Sequence, residues 1–81
     1  MPHIRRSCPF EAFIWNDVHI NDNCGKVQII RGLYRVQIMS DEHGNRFGAY
    51  LASMDMPGEP TIGLTQAQYE LLDGTRYFER R

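Results

Sequence analysis

Short runs of alternating apolar and polar residues, separated by turn-forming residues, constrain this chain more than any other feature. Residues 34–38 alternate cleanly, with Tyr34, Val36 and Ile38 on one side of an extended chain. A repeat of two residues is typical of a half-buried strand. Comparable β-type runs cover residues 10–15, 18–20, 26–31 and 46–52. The sequence therefore predicts a mostly β protein.

The turns between these runs are rich in Gly, Asn, Asp and Pro. Residues 21–25 form one dense turn signal, and residues 40–45 form another, with Gly44 suited to a left-handed position in a hairpin loop. Pro57 and Gly58 suit the centre of a type II turn. Gly32 is compatible with either a hairpin corner or a bulge in one long strand.

One helix is predicted late in the chain. Thr65 and Gln68 have the spacing of a capping box, in which each side chain bonds to the other residue's backbone N–H. Tyr69, with the leucines that follow it, gives an apolar stripe, and Gly74 is placed to end the helix. The tail, residues 75–81, fits either a last strand or a second helical turn.

The order of strands first and a helix late predicts an α+β fold. We expect a small antiparallel sheet of four to five strands, a meander or partly open barrel, with one short C-terminal helix. The 81 residues suit a single domain. Residues 1–9, with two prolines and two adjacent arginines, are predicted to be an N-terminal arm, and residues 10–81 the domain.

Composition excludes several classes. The net charge of −1 is unlike a polybasic nucleic-acid coat, and a hydrophobic content of 42% is unlike a disordered tail. No apolar run approaches the length of a membrane span or of a signal-peptide core, so we expect no membrane association. Two cysteines without an export segment predict a cytoplasmic protein with free thiols. Eight arginines against one lysine indicate a bacterial or phage coding sequence.

Two matched spacings raise the hypothesis of a structural zinc. His3 and Cys8 are five residues apart, as are His19 and Cys24. Two imidazoles and two thiolates would complete a tetrahedral site and stabilise a small core. Zinc knuckles normally place cysteines closer together, so the competing interpretation is that His3 belongs to the arm and His19 to a strand. Apart from this hypothetical zinc, no cofactor is predicted.

Catalytic patterns are weak. Ser40, Asp41 and His43 include the residue types of a triad, but they lie within one predicted turn, which gives no third group to orient the base. No glycine-rich phosphate loop is present. The sequence predicts a protein without enzymatic activity.

A predicted interaction surface follows from the alternation of two strands. If Tyr34, Val36 and Ile38 point to the core, Arg35 and Gln37 face outward. With Phe47 and its alternate neighbours inward, Arg46 and Tyr50 also face outward. Arginine and tyrosine are enriched where interfaces carry most of their energy. The predicted interaction surface comprises Arg35, Gln37, Arg46, Tyr50 and Trp15.

Residues 13–15 are all large and apolar, and they cannot all face one side of a strand. Either both faces of this strand are buried, which is the favoured alternative, or one of Phe13, Ile14 and Trp15 is exposed at a partner or homodimer contact. The second alternative is the reason for including Trp15 in the predicted surface. A second basic and aromatic cluster is predicted near the C-terminus. Its members are Arg76, Tyr77, Arg80 and Arg81. The alternative is that Tyr77 and Phe78 pack under the helix while the arginines extend into solvent.

These patterns predict a non-enzymatic interaction module that docks on another macromolecule, specifically a bacterial or phage protein that binds and modulates a host protein. Two alternatives remain open. One is nucleic-acid binding through the sheet face, since a local basic stripe can suffice. The other is a small zinc-stabilised domain. Edge strands also offer a route to a homodimer.

Overall fold

A computed structural model describes residues 4–81, which form two antiparallel sheets and one helix. The strands are β1 (Arg5–Arg6), β2 (Phe10–Ile14), β3 (Val18–Asp22), β4 (Gly25–Ile29), β5 (Gly32–Ser40), β6 (Arg46–Ser53), β7 (Ile62–Thr65) and β8 (Phe78–Arg80). The helix, α1, spans Gln66–Asp73. The predicted α+β fold, a small antiparallel sheet with one short helix near the C-terminus, is confirmed.

The main sheet has the strand order β7-β6-β5-β2-β8, with β1 also paired to β5. Strands β5, β6 and β7 form a meander, while β2 lies on the other side of β5. Strand β1 pairs with the last two residues of β5, beyond the end of β2. Part of the segment predicted as an arm is therefore a strand of the sheet.

One face of this sheet carries the core. The alternation of β5 places Tyr34, Val36 and Ile38 on that face, as predicted, and Val36 is fully buried. The β3–β4 hairpin and α1 cover the same face, where Ile20 and Leu72 join the cluster. The other face of the sheet carries the exposed side chains of Arg35 and Tyr50, and we call it the open face.

The helix begins as its capping pattern predicts. Thr65 Oγ1 accepts the Gln68 N–H at 3.1 Å, and Gln68 Oε1 accepts the Thr65 N–H at 2.9 Å. Gln68 Nε2 also donates to Asp22 Oδ1 at 3.2 Å, which ties α1 to the hairpin. The tail after Gly74 ends in strand β8. No helix within residues 4–81 combines the length and apolar character needed to cross a membrane.

Gly32 begins β5, at the crossing from the hairpin sheet to the main sheet. Its φ of +152° is one that L side chains rarely adopt. A Cβ built at this position would lie 2.7 Å from Asp55 Oδ2. That oxygen also accepts the Leu33 N–H at 2.8 Å. The glycine is needed for both its backbone conformation and this close approach.

A register shift at the start of β6 corrects one prediction. Tyr50 lies opposite Gln37 and Gly48 opposite Met39, but Ser40 pairs with Arg46. Phe47 is thus the extra residue of a bulge, and its side chain is 45% exposed rather than buried. One extra residue reverses the alternation, so Arg46 lies on the core-bearing side of the sheet and not beside Tyr50.

Candidate interaction surfaces

The open face brings together most of the predicted interaction surface. Gln37 and Tyr50 are cross-strand partners on β5 and β6, and Arg35 lies two residues from Gln37 on the same face. Arg6, on β1, joins them from the far side of β5. These residues line a shallow depression of about 400 Å³. Its lining comprises Arg6, Arg35, Gln37, Tyr50, Ala52 and Thr61.

The two arginines of this depression form no ion pair with the described part of the chain. Within residues 4–81, neither Arg6 nor Arg35 has a carboxylate oxygen within ion-pair distance. Glu11 is the cross-strand neighbour of Arg35, but its carboxylate lies 3.9 Å from the Arg81 guanidinium. Gln37 donates to the Ser7 carbonyl at 3.0 Å, which fixes its amide. The depression therefore offers two arginines and a tyrosine to an acidic group.

An aromatic pair lies toward the β8 side of the same face. The rings of Phe13 and Trp15 stack at 5.0 Å, and Trp15 is 57% exposed. Trp15 Nε1 donates to Glu79 Oε2 at 2.6 Å, which fixes the indole while leaving much of it in solvent. Of residues 13–15, Ile14 is buried and Trp15 is exposed, so the favoured alternative of burial on both faces is wrong. Arg81 lies 5.3 Å from the Phe13 ring centroid.

The predicted C-terminal cluster is divided between surfaces. Strand alternation in β8 places Arg80 on the core-bearing side, 3.9 Å above the Phe10 ring, while Arg81 lies on the open face. Arg76 donates to the Tyr77 hydroxyl at 3.2 Å, and Tyr77 packs against the core. Phe78 makes an edge-on contact with Tyr69 on α1. Tyr77 and Phe78 therefore pack against the core and the helix, which is the alternative interpretation given above.

The three predicted zinc ligands within residues 4–81, Cys8, His19 and Cys24, do not form one site. His3 lies outside the described residues. Cys8 lines a pocket beside β1, His19 lies on β3, and Cys24 borders a groove next to Phe47. No group of three potential metal ligands occurs within residues 4–81. Both cysteines are exposed, free thiols.

The turn that contains Ser40, Asp41 and His43 has a structural explanation. Asp41 Oδ1 accepts the backbone N–H groups of Asn45 and His43, each at 2.9 Å. The bond from Asn45 is the largest cause that lowers the pKa of the Asp41 carboxyl, followed by the bond from His43. The His43 ring instead lies 3.5 Å from the Glu42 carboxylate. Asp41 thus orders the loop backbone rather than orienting a base.

A third surface was missed by sequence reasoning. Arg5, Arg46 and Arg80 line one pocket of about 320 Å³ at the end of the core-bearing face, near the β5–β6 turn. Arg5 had no predicted role, and Arg46 and Arg80 were assigned to other surfaces. The three residues come from distant parts of the sequence. The pairing of β1, β6 and β2 with β5, and of β8 with β2, brings them together.

Comparison with known proteins leaves the function to be argued from these surfaces. No protein-family model matches the chain, and the searches of curated proteins and of solved structures find no match.

Proposed function

We propose that this protein is a non-enzymatic interaction module that binds an acidic segment of another protein through its open face. The observation that carries the proposal is the combination, on the open face, of an exposed indole, an exposed phenol and two arginines that form no ion pair within residues 4–81. Trp, Tyr and Arg are the side chains that most often dominate binding energy at protein interfaces.

The aromatic side chains supply contact area at low entropic cost. The Trp15 indole is held by its stacking on Phe13 and its hydrogen bond to Glu79, so binding need not order a mobile side chain. Tyr50 stands above Gly63 on the neighbouring strand, with its ring carbons 3.3 Å from where a Cβ would lie. These two rings are therefore already positioned to receive a partner.

The arginines define the chemistry of the partner. Arg6 and Arg35 lie in the depression beside Tyr50 and lack ion pairs among residues 4–81. A carboxylate placed there gains charge-assisted hydrogen bonds without displacing an internal partner. The net charge of −1 disfavours a long polyanion, because the acids elsewhere on the molecule repel it. An acidic protein segment fits this balance better than a nucleic-acid strand. We extend the proposal to the biological role: a bacterial or phage protein that modulates a host protein by binding it through this face.

Photo-crosslinking tests the surface directly. Tyr50 is replaced by benzoylphenylalanine, and the matched control carries the same group at Leu71, an exposed residue of α1. In bacterial lysate, we expect a discrete protein adduct from position 50 that survives nuclease and is absent from position 71. Adding Arg35→Glu should abolish it, because the substitution places like charge against an acidic partner.

Three results would overturn the proposal. Equal adducts from both positions would indicate non-specific contact. If the adduct persists with Arg35→Glu, the partner segment is not acidic. An adduct lost on nuclease treatment, with affinity falling steeply as salt rises, would assign the face to single-stranded nucleic acid.

A further inference from the structure

The arginine pocket, defined by Arg5, Arg46 and Arg80, lies on the opposite side of the sheet from the open face. Ser40 is paired with Arg5 on one side and with Arg46 on the other. Arg5, Ser40 and Arg46 thus form a row across three adjacent strands. Their side chains lie on one face, and neighbouring residues in the row are about 5 Å apart. Ser40 therefore lies between the two arginines at the edge of the pocket.

Arg80 enters from the β8 side. Its guanidinium carbon lies 3.9 Å from the centroid of the Phe10 ring, a cation–π contact that restrains its position. A guanidinium held by a cation–π contact can still donate its N–H groups to another acceptor. No hydrogen bond or ion pair within residues 4–81 occupies the side-chain N–H groups of Arg5, Arg46 or Arg80.

The arginines converge on a common region. Tyr69, beneath the sheet, has a pKa raised by burial and by Asp73, while both Arg80 and Arg46 act to lower it. Two guanidinium groups from different strands are thus close enough to influence one hydroxyl. This agrees with their shared lining of the pocket.

The lining contains no acidic side chain to neutralise these charges. Asp41, which lies close enough for Arg5 to lower its pKa, directs its carboxylate to the N–H groups of its own turn. The hydroxyl of Ser7 accepts the Ile38 N–H at 3.0 Å, so its proton remains a donor for the pocket. The pocket is thus a concave site whose lining contains several donors and no acidic side chain.

We propose that the arginine pocket binds a phosphate group through Arg5, Arg46 and Arg80. Three guanidiniums that approach from different strands match a dianion with several oxygens better than a single planar carboxylate. The Ser40 and Ser7 hydroxyls supply neutral donors between them. Free inorganic phosphate and a terminal phosphomonoester share this chemistry. Arg6 lines both this pocket and the depression on the open face, and it is the one lining residue that the two share. The phosphate proposal does not depend on the function proposed for the open face.

Titration of the full chain, observed by ¹H–¹⁵N NMR at constant ionic strength, tests the site. The probes are inorganic phosphate, uridine 5′-monophosphate and uridine. We expect both phosphate compounds to cause saturable shifts at the amides of Ser40 and Gly44, while uridine causes none. Arg46→Gln and Arg5→Gln should each weaken binding about tenfold or more, the loss expected for a charge-assisted contact.

Arg31→Gln is the matched control, because Arg31 is exposed and lines neither the arginine pocket nor the depression on the open face. Its phosphate affinity should equal that of the wild type, and far-UV circular dichroism checks that every variant is folded. Tighter binding of the nucleotide than of inorganic phosphate would identify a phosphomonoester ligand, and equal binding would identify the free anion. Linear, non-saturating shifts in the wild type, or equal weakening by all three substitutions, would overturn the proposal.

Discussion

Two adjacent leucines of α1 provide a direct test of how the helix is docked. Leu72 is fully buried in the core, whereas Leu71 is 53% exposed. Replacing either one with alanine makes the same chemical change on the same short helix, with the same small gain in helix propensity. The difference between the two variants therefore measures the packing of α1 on the sheet.

The expected magnitude follows from burial. Truncation of a fully buried leucine removes its transfer free energy and leaves a cavity, at a cost of about 2.7–5 kcal/mol. A domain of 81 residues has a total stability of about 4–12 kcal/mol at typical values per residue. We therefore expect Leu72→Ala to remove a large fraction of the stability, and Leu71→Ala to change it by less than about 0.5 kcal/mol.

Urea unfolding followed by far-UV circular dichroism measures both free energies. For a domain this small, the urea dependence of the unfolding free energy is about 1 kcal/mol per molar. Leu72→Ala should consequently shift the midpoint by several molar, or leave the chain unfolded in buffer. If the two variants differ by less than about 1 kcal/mol, α1 is not packed against the sheet as described, and the assignment of the core-bearing face is wrong.

Two further predictions concern local hydrogen bonds. Thr65→Ala removes the hydroxyl that accepts the Gln68 N–H, and should lower the free energy of unfolding by about 1 kcal/mol. Thr65→Ser, which keeps the hydroxyl, should restore most of it in the same denaturation assay, and an equal loss in both variants would contradict the capping role. The lowered pKa of Asp41 means that its ionised form is favoured in the folded state, so its contribution is present above its ordinary pKa and lost as pH falls through the folded value. The stability difference between wild type and Asp41→Asn should thus shrink in acid, and a difference that is independent of pH would refute this linkage.

Local patterns predicted α1 and its cap well because the physical causes lie within a few residues. The capping box needs only Thr65 and Gln68, and the apolar stripe needs only one turn of helix. The alternation of β5 is equally local, since strand geometry alone puts Val36 and Arg35 on opposite faces. These features required no knowledge of which strands are neighbours.

The position of Arg46 could not be predicted in this way. Alternation counted back from Tyr50 places Arg46 on the open face, and nothing in the six residues between Ser40 and Phe47 specifies the extra residue. The bulge becomes visible only from the partner strand, where Met39 pairs with Gly48 and Ser40 with Arg46. A shift of one residue thus moves a charge from one candidate surface to another.

The net charge of a chain also does not show how its fold distributes the charged residues. A net charge of −1 does not by itself indicate a site for anions. Among the described residues, two sites nevertheless bring together arginines that have no carboxylate partner. Part of the reason is that acids such as Asp41 and Asp22 accept backbone N–H groups in turns, where their charge orders the loops. The arginines, whose side chains only donate, remain available at the surface. Binding of an anion to such a site is governed by the few charges within about a Debye length, so a nearly neutral protein can still hold a strongly anionic group.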